Sequence, residues 1–223
     1  MPLKAVVFDL DGTLIDSKIE YEKIATRVRT LLAAEGAPAD QLNDRRKVYA
    51  VIQAGEKALA DFGIPEDRRP ALLREAERAM NEVELEGAHL SKPMRNLHET
   101  LRGLRSRGLL IGVATRGCHE YAAKSMDLVG ITHLVDRMIA RDDVPHPKPD
   151  PRHLLDVIRD LGATRDTVFY VGDTATDLKT AVAAEVPFIG YKRDPEWGKR
   201  LAEAGCTRMV DDLIHIIDIA EES

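Results

Sequence analysis

Two hydrophobic rhythms divide this chain. The run Ala5-Val6-Val7-Phe8 is apolar at every position and arrives at Asp9-Leu10-Asp11-Gly12-Thr13-Leu14, so it reads as a buried strand closed by a turn. From about residue 16 to 88 the spacing is helical. Ile24, Val28, Leu31 and Leu32 make one stripe, which a Ser17-Lys18-Ile19-Glu20 capping box opens and Gly36-Ala37-Pro38 ends. A second helix is predicted over about 43–62, on Val48, Val51, Ile52, Ala58 and Leu59, stopped by Gly63-Ile64-Pro65. A third is predicted over about 66–86, on Leu72, Leu73, Ala76, Met80 and Val83, with Gly87 as its stop. From about residue 93 strands and helices take turns. Strands are predicted over 109–114, 134–139, 167–171, 187–190 and 208–210, and helices over 97–107, 119–129, 151–161, 176–184, 195–204 and 213–220.

Alternation of this kind specifies a parallel sheet covered on both faces by helices. The predicted fold is therefore α/β, a Rossmann-like parallel sheet core with an inserted all-helical cap domain. The core comprises residues 1–15 and 89–223, and the cap residues 16–88. Because the insertion follows the first strand directly, it is expected over the C-terminal end of that strand. A chain of 223 residues, 44% of them apolar, has the material for a core with a smaller insertion.

Charge and cysteine content narrow the setting. A net charge of −6 speaks against a nucleic-acid partner. Cys118 and Cys206 form neither metal-type spacing nor a disulfide framework, so a reducing cytoplasm is expected. The N-terminus lacks the order of a signal peptide, and no apolar stretch is long enough to cross a bilayer. The expectation is a soluble cytoplasmic monomer or homodimer with no membrane partner.

The chemistry gathers where strands end. Residues two apart on a strand share a side, so Asp9 and Asp11 aim two carboxylates at one region if strand geometry runs through Asp11. Like charges held together repel, and a fold keeps them where a cation or a reaction uses both. Alone, the pair could equally close a turn, since Asp-Gly is a common turn dipeptide. Three further signals fall beside predicted strands: Thr115 after 109–114, Lys148 within Pro147-Lys148-Pro149-Asp150-Pro151, and Gly172-Asp173-Thr174-Ala175-Thr176-Asp177 after 167–171. All reach the same sheet edge as Asp9. These parts suit phosphoryl transfer, which depends on positioning and charge stabilisation. An aspartate can serve as nucleophile. Asp9, Asp11, Asp173 and Asp177 call for a hard cation, and oxygen ligands beside a phosphate favour Mg²⁺. Thr115 and the amides near Gly117 can donate to phosphate oxygens, and Lys148 supplies a point charge.

In this order the motifs resemble the haloacid dehalogenase-like (HAD) hydrolase superfamily, in its phosphatase branch. The pattern is Asp-x-Asp-x-Thr, a hydroxyl after the second strand, a downstream lysine and Gly-Asp-x-x-x-Asp, and it spans essentially the whole chain. The resemblance implies roles. Asp9 is the nucleophile and a Mg²⁺ ligand. Asp11 is the general acid/base and lends its backbone carbonyl to the metal. Thr115 binds phosphate, Lys148 steadies nucleophile and phosphate, and Asp173 ligates the metal. Asp177 acts as a support or as a further ligand, and Gly12-Thr13 form a mobile turn. Asp11 separates phosphate-ester chemistry from dehalogenation, because a halide leaves unprotonated. The implied function is Mg²⁺-dependent hydrolysis of a small phosphorylated metabolite, phosphoglycolate-like, through an aspartyl phosphate. The alternatives are a sugar phosphomutase of the same superfamily and a catalytically idle homologue.

Some positions depart from that pattern. Arg116 stands where many relatives have Asn, which makes it a second cation for the phosphate or for a substrate carboxylate, or else a solvated arginine. Lys92-Pro93-Met94-Arg95 replaces a Pro-x-Pro-Gly-like hinge. The seven histidines show no metal spacing, and most are expected at the surface or in loops. Cys118 reads as a buried small residue and Trp197 as packing at a helix start. In the cap, Arg45-Arg46-Lys47 reads as a solvated face, with Tyr49 and Arg27 as candidate substrate contacts.

Overall fold

The computed structural model describes residues 2–222 except 45, 46, 49, 50 and 52–54. It divides into two compact units, one of residues 1–17 and 88–223 and the other of residues 18–87.

The larger unit is built on a six-stranded parallel sheet. Its strands are β1 (Ala5–Phe8), β4 (Leu110–Ala114), β5 (Arg137–Ile139), β6 (Val168–Gly172), β7 (Phe188–Tyr191) and β8 (Met209–Val210), in the order β5-β4-β1-β6-β7-β8. β1 is fully buried and lies between β4 and β6, with Val7 opposite Gly112 on one side and Tyr170 on the other. Side chains alternate across the sheet. Ala5 and Val7 pack with Leu154, Val157 and Ile158 of α7 (Pro151–Asp160) and with Ala181 and Ala184 of α8 (Ala175–Ala184). The remaining helices of this unit are α5 (Leu97–Ser106), α6 (His119–Leu128), α9 (Pro195–Glu203) and α10 (His215–Glu221). From β1 the chain moves to β4 and β5, then crosses to β6 and continues outward to β7 and β8. The winding direction reverses between β1 and β6, and open α/β sheets place their ligand crevice at such a point.

Two pieces of this unit were not foreseen. Ile15–Asp16 (β2) and Lys92–Pro93 (β3) pair antiparallel, Ile15 opposite Pro93 and Asp16 opposite Lys92. This short ribbon brings the exit to residues 18–87 and the return from them side by side. The strand predicted over 134–139 shrinks to Arg137–Ile139, because Thr132–Leu134 close a 3₁₀ turn first.

The smaller unit is all-helical: α1 (Tyr21–Ala34), α2 (Ala39–Leu42), α3 (Glu56–Asp61) and α4 (Arg69–Ala88). Ile24, Val28 and Leu32 of α1, Leu59 of α3, and Leu72, Ala76, Met80 and Val83 of α4 share one core. Three expectations are corrected here. The Ser17–Glu20 capping box does not form: α1 starts at Tyr21, and Glu20 at its cap makes no side-chain bond. The helix predicted over 43–62 is broken, because Gly55 takes φ +53° ahead of α3. Gly87 does not stop the third helix but lies within α4, where a Cβ would come 3.1 Å from the Lys18 carbonyl oxygen. A close approach, and not a left-handed cap, explains that glycine. Arg27 donates to Glu82 at 2.7 Å and Glu86 at 2.9 Å, tying α1 to α4. Arg45, Arg46 and Tyr49 lie outside the described residues.

Candidate active site

Asp9 follows β1 directly, and its amide donates to the Val171 carbonyl of β6 at 2.8 Å. Strand geometry ends at Phe8, and the chain then turns, with Gly12 N donating to the Ile15 carbonyl at 2.7 Å. After the turn the two aspartates have different hydrogen-bond partners.

Lys148 is the hub of the Asp9 side. Its Nζ donates to Asp9 Oδ1 at 2.6 Å, Asp177 Oδ1 at 2.7 Å and the Tyr170 hydroxyl at 2.7 Å, with its side chain 1% exposed. Asp177 is placed by helix-start chemistry. Thr174 caps α8 by accepting from the Asp177 amide at 3.3 Å, and the Thr174 amide and hydroxyl donate back to Asp177 Oδ2 at 3.1 and 2.5 Å. The Tyr170 hydroxyl donates to Asp177 Oδ1 at 2.8 Å. Both Asp177 oxygens are therefore engaged. The neighbouring backbone needs glycine, since a Cβ on Gly172 would fall 2.5 Å from Asp177 Cβ.

Asp173, next along the same turn, is less satisfied. Oδ1 accepts from the Thr13 hydroxyl at 3.3 Å. Oδ2 is buried and accepts no hydrogen bond, although Arg193 Nε lies 3.2 Å away as an ion pair. Carboxylate oxygens of Asp9, Asp173 and Asp177 come within 4.8 Å of one another.

Electrostatics follow from this crowding. Burial, then Asp177, push the Asp9 carboxyl well above the usual carboxylate range, against the pull of Lys148. Burial and Asp177 likewise raise Asp173 to about 7, opposed by Arg193 and Lys148. Burial would raise Asp177 too, but Lys148 and its hydrogen bonds prevail and hold it low. Burial disfavours charge on Lys148, and Asp177 and Asp9 more than offset it, so the ammonium is retained. Lys148 is shared by Asp9 and Asp177, so a further cation beside Asp9 and Asp173 would favour the charged form of both. An open carboxylate oxygen on Asp173 within an all-oxygen donor set fits a hard divalent cation such as Mg²⁺.

Asp11 points elsewhere. Its Oδ1 accepts from the Tyr121 hydroxyl of α6 at 2.5 Å, and its Oδ2 from the Thr115 hydroxyl at 3.4 Å. Its side chain is outside the carboxylate cluster, which leaves its backbone carbonyl as the group that the sequence reading offered to a metal. Thr115 sits immediately after β4, and its hydroxyl accepts from the Gly117 amide at 3.0 Å. Gly117 lacks room for a Cβ, which would lie 2.7 Å from the Tyr121 ring. Arg116, between them, is exposed.

Several participants were missed in the sequence. His153 is an exception to the surface or loop placement expected of most histidines. It is fully buried on α7, accepts from the Lys148 amide at Nδ1 over 3.1 Å, and places Nε2 3.0 Å from the Ile139 carbonyl. Burial lowers it to about 4, so it is neutral, with Nε2 carrying the proton. Trp197 does more than pack: its Nε1 donates to the Asp173 carbonyl at 2.7 Å. Tyr170 offered the clearest signal, a hydroxyl in the middle of an otherwise apolar buried strand, which has to find a partner.

A central-strand acid answered by a buried lysine and a second acidic turn sits at the switch point of a parallel α/β sheet. The chain belongs to the haloacid dehalogenase-like hydrolase family, whose sequence profile matches residues 6–191. Two of its relatives are phosphatases. It is 31% identical to the N-acetylmuramic acid 6-phosphate phosphatase of Pseudomonas aeruginosa, over 100% of this chain and 97% of that one. It is 29% identical to the phosphoglycolate phosphatase of Salmonella paratyphi A, over 90% and 85%. Its fold is similar to that of the β-phosphoglucomutase of Clostridium difficile, with a TM-score of 0.70 over 99% and 98% of the two chains at 16% identity.

Proposed function

We propose that this protein is a Mg²⁺-dependent cytoplasmic phosphatase that hydrolyses a small phosphomonoester bearing a carboxylate. One observation carries the reading: Lys148 binds one oxygen of Asp9 while Asp11 is held apart by Tyr121 and Thr115, so two adjacent aspartates meet different surroundings. Divided surroundings suit divided roles. Asp9, held through Oδ1, attacks phosphorus with its other oxygen as the bond to the leaving oxygen breaks. Asp11 gives that oxygen its proton and the alcohol departs. Asp11 then takes a proton from water, which attacks phosphorus and frees inorganic phosphate and Asp9. Lys148 neutralises Asp9 and phosphate, and the Thr115 hydroxyl and Gly117 amide orient the phosphoryl oxygens. Mg²⁺, held by Asp9, the Asp11 carbonyl and Asp173, would supply charge neutralisation that keeps Asp9 ionised. Asp177, with both oxygens engaged, supports Lys148.

The substrate class rests on chemistry shared by the two curated relatives. Phosphoglycolate and N-acetylmuramic acid 6-phosphate are both phosphate esters of primary alcohols that also carry a carboxylate. Exposed Arg116 beside Thr115 supplies a cation for that second anion. Both cysteines are buried and neither is in a disulfide, which suits a reducing compartment. A sugar phosphomutase would use the same groups and transfer the phosphoryl to a second hydroxyl. The test is phosphate release with Mg²⁺ from phosphoglycolate, N-acetylmuramic acid 6-phosphate and glucose 6-phosphate. The two carboxylates should lead, Asp9→Asn should be inactive, and Arg116→Ala should raise KM for them alone. Preference for glucose 6-phosphate would sink the substrate class. Conversion of sugar phosphates with little free phosphate would establish the mutase reading.

A further inference from the structure

Arg193 occupies an unusual place. Its Nε lies 3.2 Å from Asp173 Oδ2, the buried carboxylate oxygen that accepts no hydrogen bond. Its guanidinium stacks on the Trp197 ring at 3.9 Å from the centroid. That ring is fixed from its other end, where Nε1 donates to the Asp173 carbonyl at 2.7 Å. Arg200 approaches the same ring at 5.1 Å. Gly12 makes the room: a Cβ there would lie 2.4 Å from Asp173 Oδ2 and 3.2 Å from an Arg193 terminal nitrogen. The Arg193 side chain is 30% exposed, whereas Asp173 is 1% exposed, so the arginine has a way out to solvent that the aspartate lacks.

We propose that Arg193 is a built-in competitor for the divalent cation, pairing with the free oxygen of Asp173 in the metal-free protein and giving that oxygen up when the cation binds. This deepens the reading of Asp173 as a metal ligand and rests on it. The physical reason is charge. Asp173 is buried beside Asp9 and Asp177, with Lys148 already shared by those two. A guanidinium held at ion-pair distance but without hydrogen-bond alignment relieves that repulsion while remaining easy to displace. Trp197 holds the arginine close by stacking, which keeps the displaced state near. The site therefore tolerates an absent cation at the expense of affinity for it.

Trp197 is the only tryptophan in the chain and reports on the exchange directly. Titration of the full-length protein with MgCl₂, without substrate, should change Trp197 fluorescence, and calorimetry should give the dissociation constant independently. Arg193→Met removes the competing charge and should tighten Mg²⁺ binding roughly five-fold, allowing for solvent screening of a partly exposed pair. Its fluorescence response to Mg²⁺ should be largely lost. Arg193→Lys retains the charge and should bind as the wild type does. Equal or weaker Mg²⁺ binding by Arg193→Met would overturn the proposal, as would a silent Trp197 in wild-type protein that calorimetry shows to bind. Asp173→Asn separates the two readings. Its failure to weaken Mg²⁺ binding would remove the metal ligand and the competitor together, whereas weakened binding beside an unaltered Arg193→Met would remove the competitor alone.

Discussion

At the scale of single residues, environment matters more than identity. Asp9, Asp11, Asp173 and Asp177 are the same side chain in four settings, and Lys148 distinguishes them by the pair it touches. Lys148→Met would leave Asp9 and Asp177 as buried carboxylates without their shared cation. Breaking a buried pair in this way destabilises by about 3–5 kcal/mol. A lowered urea midpoint at pH 7, with phosphatase turnover gone, is the expected result, and an unchanged midpoint would show that the lysine carries no structural charge. His153 makes a second residue-scale prediction. Its folded value of about 4 lies below its ordinary 6.5, so the unfolded chain binds the extra proton first on acidification. Its contribution to stability is therefore complete above about 6.5 and is lost as pH falls toward about 4. The reason is local: with Nε2–H aimed at the Ile139 carbonyl, protonating Nδ1 sets a second donor against the Lys148 amide. Histidine ring NMR should show His153 neutral down to about 4. Titration near 6.5 would contradict the buried geometry. Neither partner of His153 was readable from spacing, because both are backbone groups, the Lys148 amide and the Ile139 carbonyl, which residue type does not mark.

At the scale of elements, turns do the placing. The Thr174–Asp177 capping box starts α8 and at the same time delivers Asp177 to Lys148, so one local motif serves helix and site. Its signature was visible as Gly172–Asp177. The Ser17–Glu20 box carried a similar local signal and did not form: Ser17 follows β2 directly, and α1 begins only at Tyr21. Gly12 shows how narrow such turns are. Its φ is +87°, and a Cβ would press on Asp173 Oδ2 at 2.4 Å. Gly12→Ala should strain the backbone by about 1–2 kcal/mol. By moving Asp173 it should also lower kcat by about 10–100-fold. Steady-state kinetics beside thermal unfolding check this, and full activity would mean that the turn relaxes without disturbing Asp173.

At the scale of the whole molecule, the strand order decides which acids meet. β1 and β6 are neighbours although about 160 residues of chain lie between Asp9 and Asp173. Asp173 is held near 7 by burial and by Asp177, so a bound divalent cation should stabilise the fold. At a hundredfold excess of Mg²⁺ over its dissociation constant the gain is about 2.7 kcal/mol. A thermal shift that Asp173→Asn abolishes is the expected result, and an equal shift in both proteins would place the ion elsewhere. Among the described residues no helix is long and apolar enough to cross a membrane, and the 18–87 unit has a core of its own.

The sequence by itself determined the α/β alternation, the helical character of the inserted block and the motif positions around Asp9, Thr115, Lys148 and Asp173. These follow from periodicity and from groups that lie next to strand ends, both of which are local. Only the tertiary structure decided how the acids divide. It turned Asp11 toward Tyr121, committed Asp177 to Lys148, buried His153 behind Lys148 and set Arg193 against the open oxygen of Asp173. Those choices depend on which side chains are brought within about 3 Å by different elements. Burial then sets their charge, and the apolar spacing that marks a buried strand does not say which polar side chains are buried beside it.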